Sequence, residues 1–191
     1  MNSASLRAQR AARTREALAV AAVRLFGRLG YAEASVDDIA AEAGVTKGAF
    51  YVHFADKAAA LREATARWAH RRTERLAAAR TFARAVCAFV DYADHPDDAS
   101  LAAELWRRAL HEPETHAALT RVYRTWGASL AEIAWGDPAM RAPALTAASA
   151  ALALHDGVVA GRCAGLEPPA ETLTAELVDA LNAGKAGRRT A

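Results

Sequence analysis

Apolar residues in this chain recur at three- and four-residue steps, and nowhere alternate at period two with β-branched side chains, so the pattern predicts helices throughout. Leu18, Ala22, Leu25 and Leu29 share one face of a first helix expected from about Arg10 to Leu29, with Gly30 as its stop. The residues before it, 1–9, show no such stripe and are expected to be disordered. Ser35, followed three positions later by Asp38, has the form of a capping box that opens a short helix over 36–43. Its inward face is Val36, Ile39, Ala40 and Ala43. Gly44 ends it, because a left-handed C-terminal position suits a residue without Cβ.

The next segment, VTKGAFYVHF, begins a second short helix at Thr46 or Lys47. Two short helices joined by a tight glycine-containing turn make a helix-turn-helix. Phe50 and Phe54, four apart, fall on one face and are expected inside; Lys47, Tyr51 and His53 then lie largely outside. Asp56 is placed to cap a long helix running from Lys57 to about Ala79, with Leu61, Ala64, Trp68 and Leu76 as its buried stripe. Further helices are expected over 81–93, 99–111, 114–135, 140–163 and 170–183, separated at His95-Pro96-Asp97, Pro113, Gly136-Asp137-Pro138 and Pro168-Pro169. The tail, 185–191, is expected to fray. This gives an all-α chain of about nine helices. Its expected parts are residues 1–56 with a disordered basic arm at 1–9, residues 57–184, and the flexible tail.

Composition strengthens the helical reading: 53 of the 191 residues are alanine, about half of an apolar class that makes up 53% of the chain. No apolar run approaches the roughly 18 residues that span a bilayer, and MNSASLRAQRAARTRE has no apolar core behind its charges. A membrane role and a secretion signal are therefore not expected. Cys87 and Cys163 form neither a disulfide framework nor a metal spacing and are expected as reduced thiols in the cytoplasm. The net charge of +2 conceals an asymmetry: residues 1–84 carry 15 Lys+Arg against 8 Asp+Glu (+7), residues 85–191 carry 9 against 14 (−5). A basic first half points toward a polyanion.

In a helix-turn-helix the second helix enters the major groove while the first crosses the backbone. Lys47 adds charge at the start of that helix, and Gly48 and Ala49 leave room for close approach, Ala49 within reach of a thymine methyl. Tyr51 and His53 offer donors to phosphate oxygens, and Lys57 a further cation. The arginines Arg7, Arg10, Arg13 and Arg15 precede the first acidic residue, Glu16, and would suit a minor-groove or phosphate arm.

The stretch TREALAVAAVRLFGRLGYAEASVDDIAAEAGVTKGAFYVHFADK resembles the DNA-binding domain of the TetR family of bacterial transcriptional repressors. The resemblance covers about 50 of the 191 residues. It implies phosphate contacts at Ser35, Tyr51, His53 and Lys57, and base-edge positions at Thr46, Lys47, Gly48 and Val52, although many members carry an aromatic where this chain has Val52. It further implies a helical C-terminal domain that dimerises and, in many members, binds a small effector.

The second half offers an apolar, aromatic helix face in Leu119, Val122, Tyr123, Trp126, Leu130 and Ile133. Trp68, Phe89, Tyr92, Leu105, Trp106, Tyr123, Trp126 and His155 are the candidate walls of an apolar effector cavity, or otherwise plain core. The small-residue stripe Ala147, Ala148, Ala151, Leu152 and Val159, with Leu173, Leu177 and Leu181, would make a four-helix dimer interface from the last two helices. Gly157 and Gly161 fit close packing there. HEPETH, 111–116, is set aside as a metal site: its histidines are five apart and Pro113 lies between them. No nucleophile elbow, catalytic triad or phosphate-cradling glycine loop is present, so neither enzyme chemistry, a metal nor a cofactor is expected. The expectation is a cytoplasmic, homodimeric, ligand-responsive repressor that binds a near-palindromic double-stranded operator and is released by a small apolar molecule. The alternative is a DNA-binding regulator whose second half only dimerises or meets a protein partner.

Overall fold

The computed structural model describes residues 3–91, 97–136 and 144–166. Among them it shows eight helices and no strand: α1 (Ser3–Leu29), α2 (Val36–Glu42), α3 (Lys47–His53), α4 (Lys57–Ala78), α5 (Phe82–Val90), α6 (Asp97–Ala109), α7 (Pro113–Gly136) and α8 (Ala144–Cys163). The helix expected over 170–183 and the tail lie outside the described residues, as does the start of the helix expected from 140. The chain divides into two compact units, residues 1–69 with 96–104, and residues 70–95 with 105–191. That division differs from the expected boundary at 56/57, because α4 continues unbroken from Lys57 and its first half packs within the first unit.

The one clear departure at the N-terminus is the absence of the disordered arm. α1 is helical from Ser3, seven positions before the expected start. Residues 5–13 are exposed throughout, so they carry no apolar stripe to announce a helix. Their Ala, Leu, Arg and Gln are strong intrinsic helix formers, and they extend a helix already nucleated by the buried part of α1.

In the first unit α1 buries Leu18, Ala22, Leu25 and Phe26 against α2 and α3. α2 starts as expected. Ser35 Oγ accepts from Asp38 N (3.1 Å), while the Ser35 hydroxyl (2.6 Å) and Ser35 N (3.0 Å) donate to the Asp38 carboxylate, and these last two bonds, the hydroxyl first, hold the Asp38 carboxyl below its ordinary range. It ends in a Schellman turn: Gly44 N donates to Ala41 O and Val45 N to Ala40 O, with Gly44 at φ 68°. α4 is capped by Asp56, whose carboxylate accepts from Ala59 N (2.6 Å). α1 also lies unusually close to the start of α6. A Cβ built on Gly27 would stand 2.8 Å from Ser100 Cβ, 3.1 Å from Leu101 N and 3.2 Å from Asp97 O.

In the second unit α5, α7 and α8 pack together around an aromatic cluster. Phe89 meets Trp126 edge-on (5.1 Å between centroids) and stacks on the His155 ring (4.7 Å). Trp126 lies 5.5 Å from His155 and 5.4 Å from Tyr123. Arg72, buried on α4, donates to the carbonyls of Phe89 and Asp91 at the end of α5, satisfying acceptors that α5 itself leaves open. His155 is fully buried, and burial pushes its pKa below the ordinary 6.5, with the Arg72 charge acting in the same direction and Asp156 opposing.

Two predictions come from this packing. Gly27→Ala gains helix propensity but forces α1 off α6. A net loss of about 1 kcal/mol is expected, read as a fall in Tm of roughly 2–4 °C. For His155, a lowered pKa in the folded state means that the unfolded ring takes up its proton first as pH falls through 6.5. Stability is therefore greatest above that pH and is lost below it. A Tm series from about pH 7.5 to about pH 5 should show that fall in the native protein and a flatter profile in His155→Leu.

Candidate nucleic-acid interface and second-unit cavity

α3 has seven residues, too few to persist alone, and is fixed at both ends and from beneath. Thr46 caps it, with Oγ1 accepting from Ala49 N (3.2 Å). Phe50 and Phe54 are buried, 5.5 Å apart ring to ring. Arg15, reaching from α1, holds the other end: it donates to His53 O (3.2 Å) and to the Glu63 carboxylate (2.5 Å), and its guanidinium lies 4.8 Å over the Phe54 ring. Arg15 thereby keeps the Glu63 carboxyl below its ordinary range, against a smaller opposing effect of burial.

With the aromatic pair inside, the opposite face of α3 is open. Lys47 and Gly48 are exposed, Tyr51 is 51% exposed and Val52 80%, while Ala49 and His53 are half-buried at its edges. Ser35 stands half-buried at the start of α2, its hydroxyl engaged with Asp38. Lys47 is not idle: its ammonium pairs with the Asp37 carboxylate of α2 at 2.8 Å, and this partner raises its pKa. The pair is exposed on both sides, where such contacts contribute little and yield readily to a competing anion.

Lys57 departs from the phosphate-facing placement expected of it. Its Nζ donates to the carbonyls of Tyr31 (2.6 Å), Ala32 (3.2 Å) and Ala34 (2.8 Å) and stands 4.4 Å over the Tyr31 ring. Three donors are all that an ammonium has, and here all three secure the turn that delivers Ser35 to the start of α2. Glu104 fastens the same turn by accepting from Tyr31 N (2.8 Å). Neither Glu104 nor the inward role of Arg15 was visible in local sequence, because their partners lie 73 and 38–48 positions away.

The eight candidate cavity residues scatter. Trp68 is buried in the first unit, and Phe89, Leu105, Trp126 and His155 are buried in the core of the second. Tyr92 lies outside the described residues. Trp106 and Tyr123 do line an open cavity of about 700 Å³ in the second unit, together with Leu119 and Arg124 of α7 and Leu152 and Asp156 of α8. Trp106 Nε1 donates to Tyr123 Oη (2.8 Å), and Tyr123 Oη donates to Asp156 Oδ1 (2.6 Å). The sequence reading missed Asp156, which sits beside a histidine singled out instead. Of the HEPETH histidines, His111 lies in the turn before α7 and His116 on α7 itself. No group of three or more metal-ligating side chains occurs among the described residues, and no helix there is long and apolar enough to cross a membrane.

An exposed polar helix seated on buried aromatics, next to a second capped helix and a glycine turn, defines a helix-turn-helix domain carried by an all-helical chain. Comparison with known proteins is specific about its kind: residues 18–64 match the family model of the bacterial regulatory proteins, tetR family. The repressor BepR of Brucella suis is 49% identical over 47 residues, a stretch covering 25% of this chain and 22% of BepR. The matched part is thus about a fifth of that relative's length. Among solved structures, a TetR-family transcriptional regulator from Rhodococcus sp. superposes with a TM-score of 0.72 over 88% of this chain and 98% of its own, at 20% identity. A transcriptional regulator from Saccharomonospora viridis, solved in complex with choline, gives 0.67 over 86% and 93%, also at 20%. The resemblance to the TetR family read from the sequence is therefore shared by the family model at 18–64, and the fold of most of the chain is that of such regulators.

The clamp and the contact can be separated by mutation. Lys57→Met is expected to cost about 1–3 kcal/mol, since it strands the partly buried carbonyls of Tyr31 and Ala34. Lys47→Ala should change stability by less than about 0.5 kcal/mol. Thermal or urea unfolding of the two variants side by side reads the difference.

Proposed function

We propose that this chain is a homodimeric transcriptional regulator of the cytoplasm, a repressor that holds a near-palindromic operator and lets go when a small molecule binds its second unit. The observation that carries the proposal is the face of α3: Lys47, Gly48, Tyr51 and Val52 exposed above buried Phe50 and Phe54. Such a helix can enter a major groove with its aromatic side still sealed. Lys47 exchanges Asp37 for phosphate or a guanine edge, Tyr51 and His53 bond phosphates, and Gly48, Ala49 and Val52 lie against base edges. Ser35 and Thr46 add contacts at the helix starts. Lys57 acts behind them, by holding the turn in place.

Support for repression comes from the BepR likeness, and support for a ligand from the choline-bound relative and from the cavity beside α7. An effector releases DNA by binding better to a state in which the two recognition helices of the dimer are wrongly spaced; a coupling of about 1–3 kcal/mol is typical. α4 and α6 each run through residues of both units, which gives such a coupling a covalent route.

The test begins with DNA enriched from random oligonucleotides by the full chain, followed by gel-shift titration. Tyr51→Phe should weaken binding about threefold to tenfold. Lys47→Ala should weaken it further and reduce the salt slope by roughly one. Unchanged affinity in both variants would remove α3 from the interface.

A further inference from the structure

Asp156 holds a carboxylate that the fold positions but does not neutralise. Its Oδ1 accepts the Tyr123 hydroxyl at 2.6 Å and faces His155 Nδ1 at 3.0 Å. Facing an ionised carboxylate, which only accepts, the histidine nitrogen carries the proton. Behind these two donors stand Trp106, which bonds the Tyr123 oxygen, and Phe89, stacked on the His155 ring. The chain Trp106–Tyr123–Asp156–His155 therefore fixes one oxygen. The other has no protein partner among the described residues, and the Asp156 side chain is 44% exposed on the wall of the cavity.

That cavity has otherwise the lining of an organic-ligand site: the rings of Trp106 and Tyr123, and the aliphatic Leu119 and Leu152. A neutral ligand lacking a donor would leave the open carboxylate oxygen without a partner, which is costly, and a hydroxyl would supply a hydrogen bond but no charge. An anion would meet it with repulsion. A cation gains the carboxylate charge and the neighbourhood of the Trp106 and Tyr123 rings, and one that carries an N–H adds a hydrogen bond. Arg124 and His116 also line the cavity as exposed residues of α7, and the anionic probe below tests whether their charge outweighs that of Asp156. We infer that the second-unit cavity is a site for a small organic cation, an ammonium or quaternary amine with an apolar body, and that Asp156 is the residue that selects its charge. The inference rests on the reading of this cavity as the effector site and replaces a purely apolar effector with a charged one.

Three probes of similar size separate the possibilities: benzyltrimethylammonium, benzyl alcohol and phenylacetate. Each is titrated into the full chain and followed by calorimetry and tryptophan fluorescence. The cation is expected to bind at least about tenfold more tightly than the other two, the scale of one cation–π contact in a partly desolvated site. Asp156→Asn should erase that preference, Asp156→Glu should restore most of it, and Tyr123→Phe should weaken cation binding several-fold; circular dichroism checks that all three remain folded. Failure of the cation to bind saturably, tighter binding of phenylacetate or benzyl alcohol, or an unaltered preference in folded Asp156→Asn would overturn the charge assignment. A gel shift with the enriched DNA keeps the two readings apart. If DNA is held by the native chain and by Asp156→Asn but a neutral or anionic probe wins the cavity, the regulator stands and the cation falls. If the native chain binds the cation but enriches no DNA, the reverse holds.

Discussion

The burial of Phe50 and Phe54 decides what the rest of α3 is free to do. A seven-residue helix has almost no stability of its own, so its position must come from contacts beneath and at its ends. Two aromatic rings four positions apart put nearly all of that stabilisation on one side. The side left over is set at the same time: Lys47, Gly48, Tyr51 and Val52 face solvent because Phe50 and Phe54 cannot. The exposed surface of α3 is in this sense a product of core packing. It needs no preference of its own to be presented.

That packing explains which parts of the molecule were legible in the sequence. The α2 capping box, the Gly44 turn, the Thr46 start of α3 and the inward aromatic pair are local features, each written within a few consecutive residues. The clamps around them are not. Arg15 and Lys57 have the composition of phosphate ligands and yet turn toward carbonyls and rings of their own unit, because those acceptors come close only after folding. A cation read from sequence has no way to reveal whether its partner is a backbone oxygen or a nucleic acid. The same holds for Gly27, whose lack of a side chain matters only because Ser100 arrives against it. The N-terminal extension of α1 was missed for the opposite reason: it is held by intrinsic propensity, which leaves no periodic mark.

In the second unit the aromatic residues were found but their roles were not separable by pattern. Phe89, Trp126 and His155 fill the interior, while Trp106 and Tyr123, on the same or adjoining helices, open onto a cavity. A helical period says which face is apolar; it does not say whether that face meets a neighbour or a void. The polar atoms give the distinction. His155 is sealed and its pKa is lowered by burial, whereas the side chain of Asp156, one residue on, is 44% exposed. One step along α8 thus crosses from core to cavity wall.

The Lys47–Asp37 pair links these themes. Both side chains are more than half exposed, so the pair adds little to stability, yet at 2.8 Å it holds the Lys47 ammonium over the start of α2 when no DNA is present. On the proposed reading, Lys47 therefore does not come to a duplex as a freely wandering charge. To reach a phosphate it must leave a carboxylate of similar strength, and the net gain is the difference between the two. Non-specific attraction to any polyanion is reduced accordingly, while a site that supplies a matching base edge as well as phosphate still repays the exchange. If α3 is the recognition helix proposed above, an acidic residue beside its leading lysine trades some affinity for discrimination, through a surface ion pair that costs the fold almost nothing to keep.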